Sequence, residues 1–224
     1  SVSANFDGYS ESLEVTVGPA TLDSVTIAAT SISIYKAREK QLNAIGMMSD
    51  GSEITITRLG VWSVDQGGLA AISNDSGSEG VFTAIEAGTV NVTFTPNDSS
   101  LSPVTIFQSI NPISQMANEF SKSVSSSMSV INGVVQNGSQ ISLTITNNTG
   151  ETVSLLKFKV DDANGEKTST SDSSLLSGGS LTSGEVVGLT YTVNFLGATK
   201  PITLTYEAQD PVTNETFNIS STIN

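Results

Sequence analysis

Residues 80–95 read GVFTAIEAGTVNVTFT. From Val90 to Phe94 every second residue is apolar, and Asn91, Thr93 and Thr95 fill the positions between and after them. Period two is the mark of a strand with one buried face, because successive side chains on an extended chain point to opposite sides. Two such runs, 81–85 and 89–95, are separated by Ala87-Gly88-Thr89, where Gly88 suits a turn that requires positive φ.

The same alternation spreads in both directions. Residues 24–34, 53–56, 141–146 and 153–160 mostly alternate apolar residues with Ser, Thr or Glu, and 186–195, 202–206 and 216–223 continue the pattern to the end. Between these runs lie Asp50-Gly51, Asn132-Gly133, Asn137-Gly138 and Asn164-Gly165, dipeptides whose second residue accepts the geometry of tight hairpins. Short strands with frequent turns and no strand-helix alternation predict an all-β fold, sandwich or barrel. One stretch departs from period two. At 113–126, Ile113, Met116, Ala117 and Phe120 would line one face of a helix with Pro112 in its first turn. The serines of 121–129 weaken helix, so the alternative there is an extended linker and first strand running into Met128, Val130 and Val134.

The chain has 224 residues, enough for two sandwich domains, and its hydrophobic fraction of 37% is clustered rather than scattered, which separates it from a disordered polar chain. Net charge is −13, from 22 acidic residues against nine Lys and Arg. Such a surface repels phosphates and anionic membranes, so no nucleic-acid partner is expected. No apolar run approaches the ~20 residues of a membrane span, so no direct membrane insertion is expected either. Cysteine is absent, which removes disulfides, thiolate metal sites and thiol nucleophiles together.

Taken as one unit, residues 22–107 contain, in order, LDSVTIAATSISIYKAREKQLNAIGMMSDGSEITI (22–56), VWSVDQGGLAAIS (61–73) and GVFTAIEAGTVNVTFT (80–95). This resembles the bacterial immunoglobulin-like domain, group 2, of the intimin and invasin type. The matching positions are Leu42, Ala44, Gly46, Asp50 and Gly51, then Trp62 and Ala71, then Gly80, Val81, Thr83, Ala87, Gly88 and Thr89. Lys36-Ala37 departs from the glycine and acidic residue common there in the family. The resemblance implies an immunoglobulin-like β-sandwich at 19–110; residues 111–224 carry no such resemblance, and their strand pattern alone predicts a second β-sandwich, so that immunoglobulin-like β-sandwiches in tandem are expected. Residues 1–18, with Asp7-Gly8 and the alternation Leu13, Val15, Val17, look like the closing strands of a preceding copy. Trp62, the sole tryptophan, reads independently as a core anchor between two sheets.

Chemistry is sparse. Without His and Cys the triad, thiol-protease and zinc-hydrolase arrangements lose their essential parts, and the carboxylates sit at turns and on polar strand faces. No catalytic, cofactor-binding or metal-binding residue is expected. Calcium is the one metal weighed: 161–166 (DDANGE) and Asn97-Asp98 offer oxygen ligands, although Asn164-Gly165 is explained as a hairpin turn. Lys157 and Lys159, candidates for an isopeptide cross-link, share the face opposite Phe158 and read as solvated. The triplet Asn91-Val92-Thr93 and others like it are what so polar a chain produces by chance. The Ser/Gly-rich stretch 169–184 is a long loop, either a flexible excursion or one shaped to a ligand.

The expected function follows from fold analogy. It is a non-catalytic, extracellular or surface-displayed bacterial module, a stalk or spacer whose partner is a protein or carbohydrate on a host or neighbouring cell. The rival is an accessory carbohydrate- or polymer-binding module of an extracellular enzyme or phage tail protein. Tyr191, Phe195, Tyr206 and Phe217 would have to be exposed for sugar stacking, and all four fall inside core-like strand patterns.

Overall fold

A computed structural model of the chain describes residues 2–13, 18–28, 31–128, 130–132, 134–136, 138–170, 179–192 and 198–224. Nearly all of its regular structure is strand. The first half holds β1 (Val2–Phe6), β2 (Tyr9–Leu13), β3 (Leu22–Ile27), β4 (Ser31–Tyr35), β5 (Glu39–Gln41) and β6 (Ala44–Met48). It continues with β7 (Glu53–Thr55), β8 (Gly60–Val64), β9 (Ala70–Ile72), β10 (Val81–Ala84), β11 (Gly88–Pro96) and β12 (Val104–Asn111). After a 3-10 turn at Ile113–Glu119 come β13 (Phe120–Ser127), β14 (Val130–Ile131), β15 (Val134–Val135), β16 (Gln140–Asn147), β17 (Val153–Asp162) and β18 (Gly165–Thr170). The last are β19 (Ser180–Leu181), β20 (Val186–Thr192), β21 (Ala198–Thr199), β22 (Ile202–Gln209) and β23 (Thr216–Ile223).

Two compact units emerge: 1–33 with 38–85 and 89–109, and 34–37 with 86–88 and 110–224. The first unit is built on sheets ordered β3-β6-β7, β5-β10-β9 and β4-β12-β11-β8, and also contains the β1-β2 hairpin. Its core centres on Trp62, Phe82 and Phe94, all at most 2% exposed, with small residues such as Ala44, Ala70 and Ala84 at the same depth. Trp62 and Phe94 rings sit 4.9 Å apart and tilted by 54°, a favourable aromatic arrangement. Close approach here is made by glycine. A Cβ on Gly60 would lie 2.5 Å from the Thr95 carbonyl oxygen, and one on Gly80 (φ +79°) 2.5 Å from the Leu42 carbonyl oxygen. Only a residue without a side chain fits either place.

The second unit is a sandwich. One sheet runs β13-β16-β20 and the other β18-β17-β22-β23, with β19 also on β17; a small sheet β14-β15-β21 lies beside them. Alternation delivers Ile141, Leu143 and Ile145 of β16 and Leu204, Tyr206 and Ala208 of β22 into one hydrophobic cluster, while Ser142 and Thr144 between them on β16 are half-buried and Thr205 on β22 is buried against Ser220. Tyr206 donates its hydroxyl to the Leu143 carbonyl at 3.4 Å, joining the two layers. Tyr35 belongs to the same cluster, and the Lys36 N–H donates to the Asn111 carbonyl.

Several expectations need correction. The helix of 113–126 is a single 3-10 segment ending at Glu119, and residues 120–127 form β13 instead. Serine favours neither helix interior nor burial, and in the strand Phe120 is buried and Val124 half-buried, while Lys122 on the same face between them is exposed. The run 24–34 is two strands, β3 and β4. Gly51 and Gly165 have φ of +83° and +112° in their turns, and Gly88 has φ +156°. Val15, Val17, Ser129, Gly133, Asn137, Phe195 and the middle of the Ser/Gly-rich loop, 171–178, lie outside the described residues.

Candidate functional site

The carboxylates show first what the surface can do. Asp50 and Asp98 each accept two hydrogen bonds from a serine two residues on. The Ser52 hydroxyl and N–H are 2.6 and 2.9 Å from Asp50 Oδ1, and those of Ser100 are 2.7 and 2.9 Å from Asp98 Oδ1. These bonds, led by the serine hydroxyls, hold both acids below the usual carboxylate range. Glu185 is held low by the Thr182 N–H at 2.7 Å. Asp162, 8% exposed, accepts from the N–H groups of Asn164 and Thr199 at 2.8 and 3.1 Å. Fully buried Asp210 accepts from the N–H and hydroxyl of Thr213 at 3.0 and 2.8 Å. Each acid closes a turn. Among the described residues no group of three or more His, Cys, Asp or Glu could hold a metal ion.

The calcium candidate at 161–166 is therefore a hairpin tip whose Asp162 carboxylate is taken by backbone donors, and Asp98 of the second candidate is taken by Ser100. Lys159 pairs with Glu207 at 3.4 Å between β17 and β22, and its side chain is 27% exposed, less open to solvent than expected. Tyr206 and Phe217 are buried, at 0% and 6% exposure, so neither offers a stacking platform.

The first unit holds an open cleft of about 520 Å³ lined by Gln41, Asn43, Thr55, Thr57, Arg58, Leu59, Gly77 and Glu79. Its chemistry is polar and locally neutral. Arg58 Nε lies 3.4 Å from Glu79 Oε2, with the arginine 73% exposed and the glutamate 16%. Glu79 is held below the usual range by its own backbone N–H and by that of Gly77, with Arg58 adding to the effect. Gln41 Nε2 donates to the carbonyls of Leu42 and Glu79 at 2.7 and 2.8 Å. Thr57 Oγ1 accepts from the Ala44 N–H at 3.0 Å, and the Thr57 carbonyl accepts from Trp62 Nε1 at 3.1 Å. The cleft wall is thus tied to the core tryptophan.

Sequence reading missed this cleft and also Asn74, whose side chain accepts from the Trp62 N–H at 2.7 Å and donates to its carbonyl at 2.9 Å. A side-chain amide there stands in for a neighbouring strand. The available signal was one exposed arginine in a chain with few cations, which is too little to locate a cleft assembled from three separate loops.

The family model of the bacterial Ig-like domain (group 2) matches residues 21–106. A stretch of 94 residues is 31% identical to Ice-binding protein 1 of Shewanella frigidimarina (strain NCIMB 400), covering 42% of this chain and 10% of that protein. Among solved structures, domains 4-9 of the surface layer protein SbsC align over 98% of this chain and 34% of that one, at 14% identity and TM-score 0.38. The Yersinia pseudotuberculosis adhesin InvE aligns over 89% of this chain and 58% of its own, at 10% identity and TM-score 0.25.

Proposed function

With a bacterial Ig-like domain of group 2 at residues 21–106 as the starting point, we propose that the chain is a non-catalytic structural or adhesion module of the bacterial cell surface, a stalk or spacer built of immunoglobulin-like units. The observation that carries this reading is the use of the acids. Asp50, Asp98, Asp162, Asp210 and Glu185 are bonded to nearby backbone or hydroxyl donors that shape turns. A glycosidase-type mechanism instead needs two carboxylates facing each other across a cleft. No described helix is long and apolar enough to cross a membrane. The β1-β2 hairpin, which pairs with no other described strand, is read as the close of a further copy of the fold.

Labelling of intact cells of the source organism with antibody against the chain, before and after external protease, tests the location. Signal confined to lysed cells would overturn the surface reading. A glycan-array and cell-wall binding assay on the whole chain tests the spacer role, since a pure spacer retains nothing.

The second reading, a carbohydrate-binding module, is favoured by one observation, the neutral cleft at Arg58 and Glu79. Its amide and hydroxyl groups could bond a sugar, with Leu59, 55% exposed, as the apolar contact. Retention on the array that is lost in Arg58→Ala would establish this reading over the first.

A further inference from the structure

The cleft of the first unit sets a loose cation beside a fixed anion. Arg58, between β7 and β8, is 73% exposed, and its one polar partner among the described residues is Glu79, 3.4 Å from its Nε. The four N–H groups of its two Nη nitrogens are left for a ligand. Glu79, 16% exposed, is held from several sides. Its carboxylate accepts the Gly77 N–H at 2.9 Å and its own N–H, and its carbonyl accepts Gln41 Nε2 at 2.8 Å. The next residue, Gly80, lies so close to the Leu42 carbonyl that no Cβ fits there. The acid therefore cannot swing aside when a ligand enters, whereas the arginine can. The same backbone donors hold its carboxyl below the usual range, so it stays charged.

Resting on the carbohydrate-binding reading of this cleft, we propose that Glu79 sets its specificity: the site takes neutral sugars that offer adjacent hydroxyls and turns away acidic ones such as uronates. Arg58 and Glu79 place donors next to an acceptor. Adjacent sugar hydroxyls fit that order, one accepting from an Nη N–H and the other donating to the acceptor capacity left on the carboxylate. The rest of the lining asks for the same chemistry. Gln41, Asn43 and Thr55 are uncharged, and Leu59, 55% exposed, offers the apolar contact. An acidic sugar would seat its carboxylate on the open fork of Arg58, but only beside a like charge that cannot retreat. Net charge does not decide this. At physiological ionic strength fields fade over ~8 Å, so most of the −13 is screened at the cleft and the acid in contact with Arg58 dominates. Arg58 alone attracts acidic sugars, and Glu79 reverses that choice by opposing the wrong ligand.

The test is calorimetric titration of the whole chain, at about 0.15 M salt, with matched pairs: a neutral oligosaccharide and its counterpart oxidised to the C6 carboxylate. Neutral members are expected to bind about tenfold more tightly, the lower end of what a unit charge beside the ligand is worth. Glu79→Gln removes the charge and should abolish or reverse the preference, while Glu79→Asp keeps the charge and should retain it. The aspartate thus separates lost charge from lost shape in the turn at 73–80, and the preference of the unaltered chain needs no variant at all. If no member of any pair binds, the carbohydrate reading fails and this inference with it. If sugars bind but the unaltered chain shows no preference for neutral ones, the reading stands and the role of Glu79 falls. A preference that survives Glu79→Gln, or one lost equally in both variants, overturns the role of its charge in the same way.

Discussion

The two units bury their apolar residues by different means. The first closes around one tryptophan and lets backbones approach where Gly60 and Gly80 leave no room for a Cβ. The second fills its sandwich with branched aliphatics, Ile141, Leu143, Ile145, Val160, Leu204 and Ile219 among them, together with Phe158, whose ring lies 5.0 Å from that of Tyr206 and tilted by 55°. A core that depends on a few irreplaceable residues leaves a fixed mark in sequence. One made of interchangeable aliphatics leaves only a periodicity, because hydrophobic residues of similar volume substitute for one another at small cost. That difference explains why 22–107 resembles a family while the later residues show only strands.

The sharpest way to break this contrast is Trp62→Ala. It removes the largest side chain of the first core and leaves the Thr57 carbonyl without its 3.1 Å donor, so the first unit is expected to lose about 3–5 kcal/mol. Urea unfolding followed by amide exchange should show the loss at 38–85 and 89–109, with 110–224 unchanged. Equal loss in both would mean that the two units do not unfold separately.

Next come two small changes that the contrast ranks oppositely to their chemistry. Gly60→Ala adds one methyl group against the Thr95 carbonyl, which is backbone and cannot swing away, and should cost about 1–3 kcal/mol. Ile145→Val removes one methylene from a fully buried position in the second unit and should cost about 0.5–1.5 kcal/mol. Denaturant midpoints of the two variants decide the matter. If Ile145→Val were the more damaging, the second core would be the jigsaw and the first the tolerant one.

What could be read in advance follows the same line. Strands such as β11 and β16 were legible because one face is buried and the other wet, which enforces period two. Trp62 was legible as a core anchor because a lone indole between two valines has few other places to go. The helix expected over 113–126 failed after one 3-10 segment, since Phe120 and Val124 satisfy helical and extended spacing alike and only the partner strand β16 decides between them. Neither Asn74 nor the cleft at Arg58 was legible at all. Each depends on which segments become neighbours, a property of long-range pairing that no local pattern records.

The smallest effect expected at neutral pH is also the most selective. Tyr206 sits fully buried in the second unit and donates only one long hydrogen bond, 3.4 Å to the Leu143 carbonyl, so Tyr206→Phe should cost about 0.5–1.5 kcal/mol. In alkali the sign changes. Burial raises the Tyr206 hydroxyl above its ordinary value, and burial together with Glu119 and Glu151 pushes Tyr35 up to about 12. An unfolded tyrosine ionises near pH ~10, so the folded form binds the proton more tightly. The stability these groups contribute is whole below pH ~10 and is lost as pH rises through the folded values. Lys36, raised first by its hydrogen bond to Glu215, loses its contribution in the same direction. All three lie in the second unit. Tyrosinate absorbance should therefore rise cooperatively with loss of that unit while Trp62 fluorescence, the sole indole signal, still reports a folded first unit. In Tyr206→Phe one of the ionising groups is gone, and the alkaline transition of the second unit should move to higher pH despite the lost bond. A transition that moves to lower pH, or Trp62 fluorescence that changes first, would show that the alkali-sensitive groups lie elsewhere.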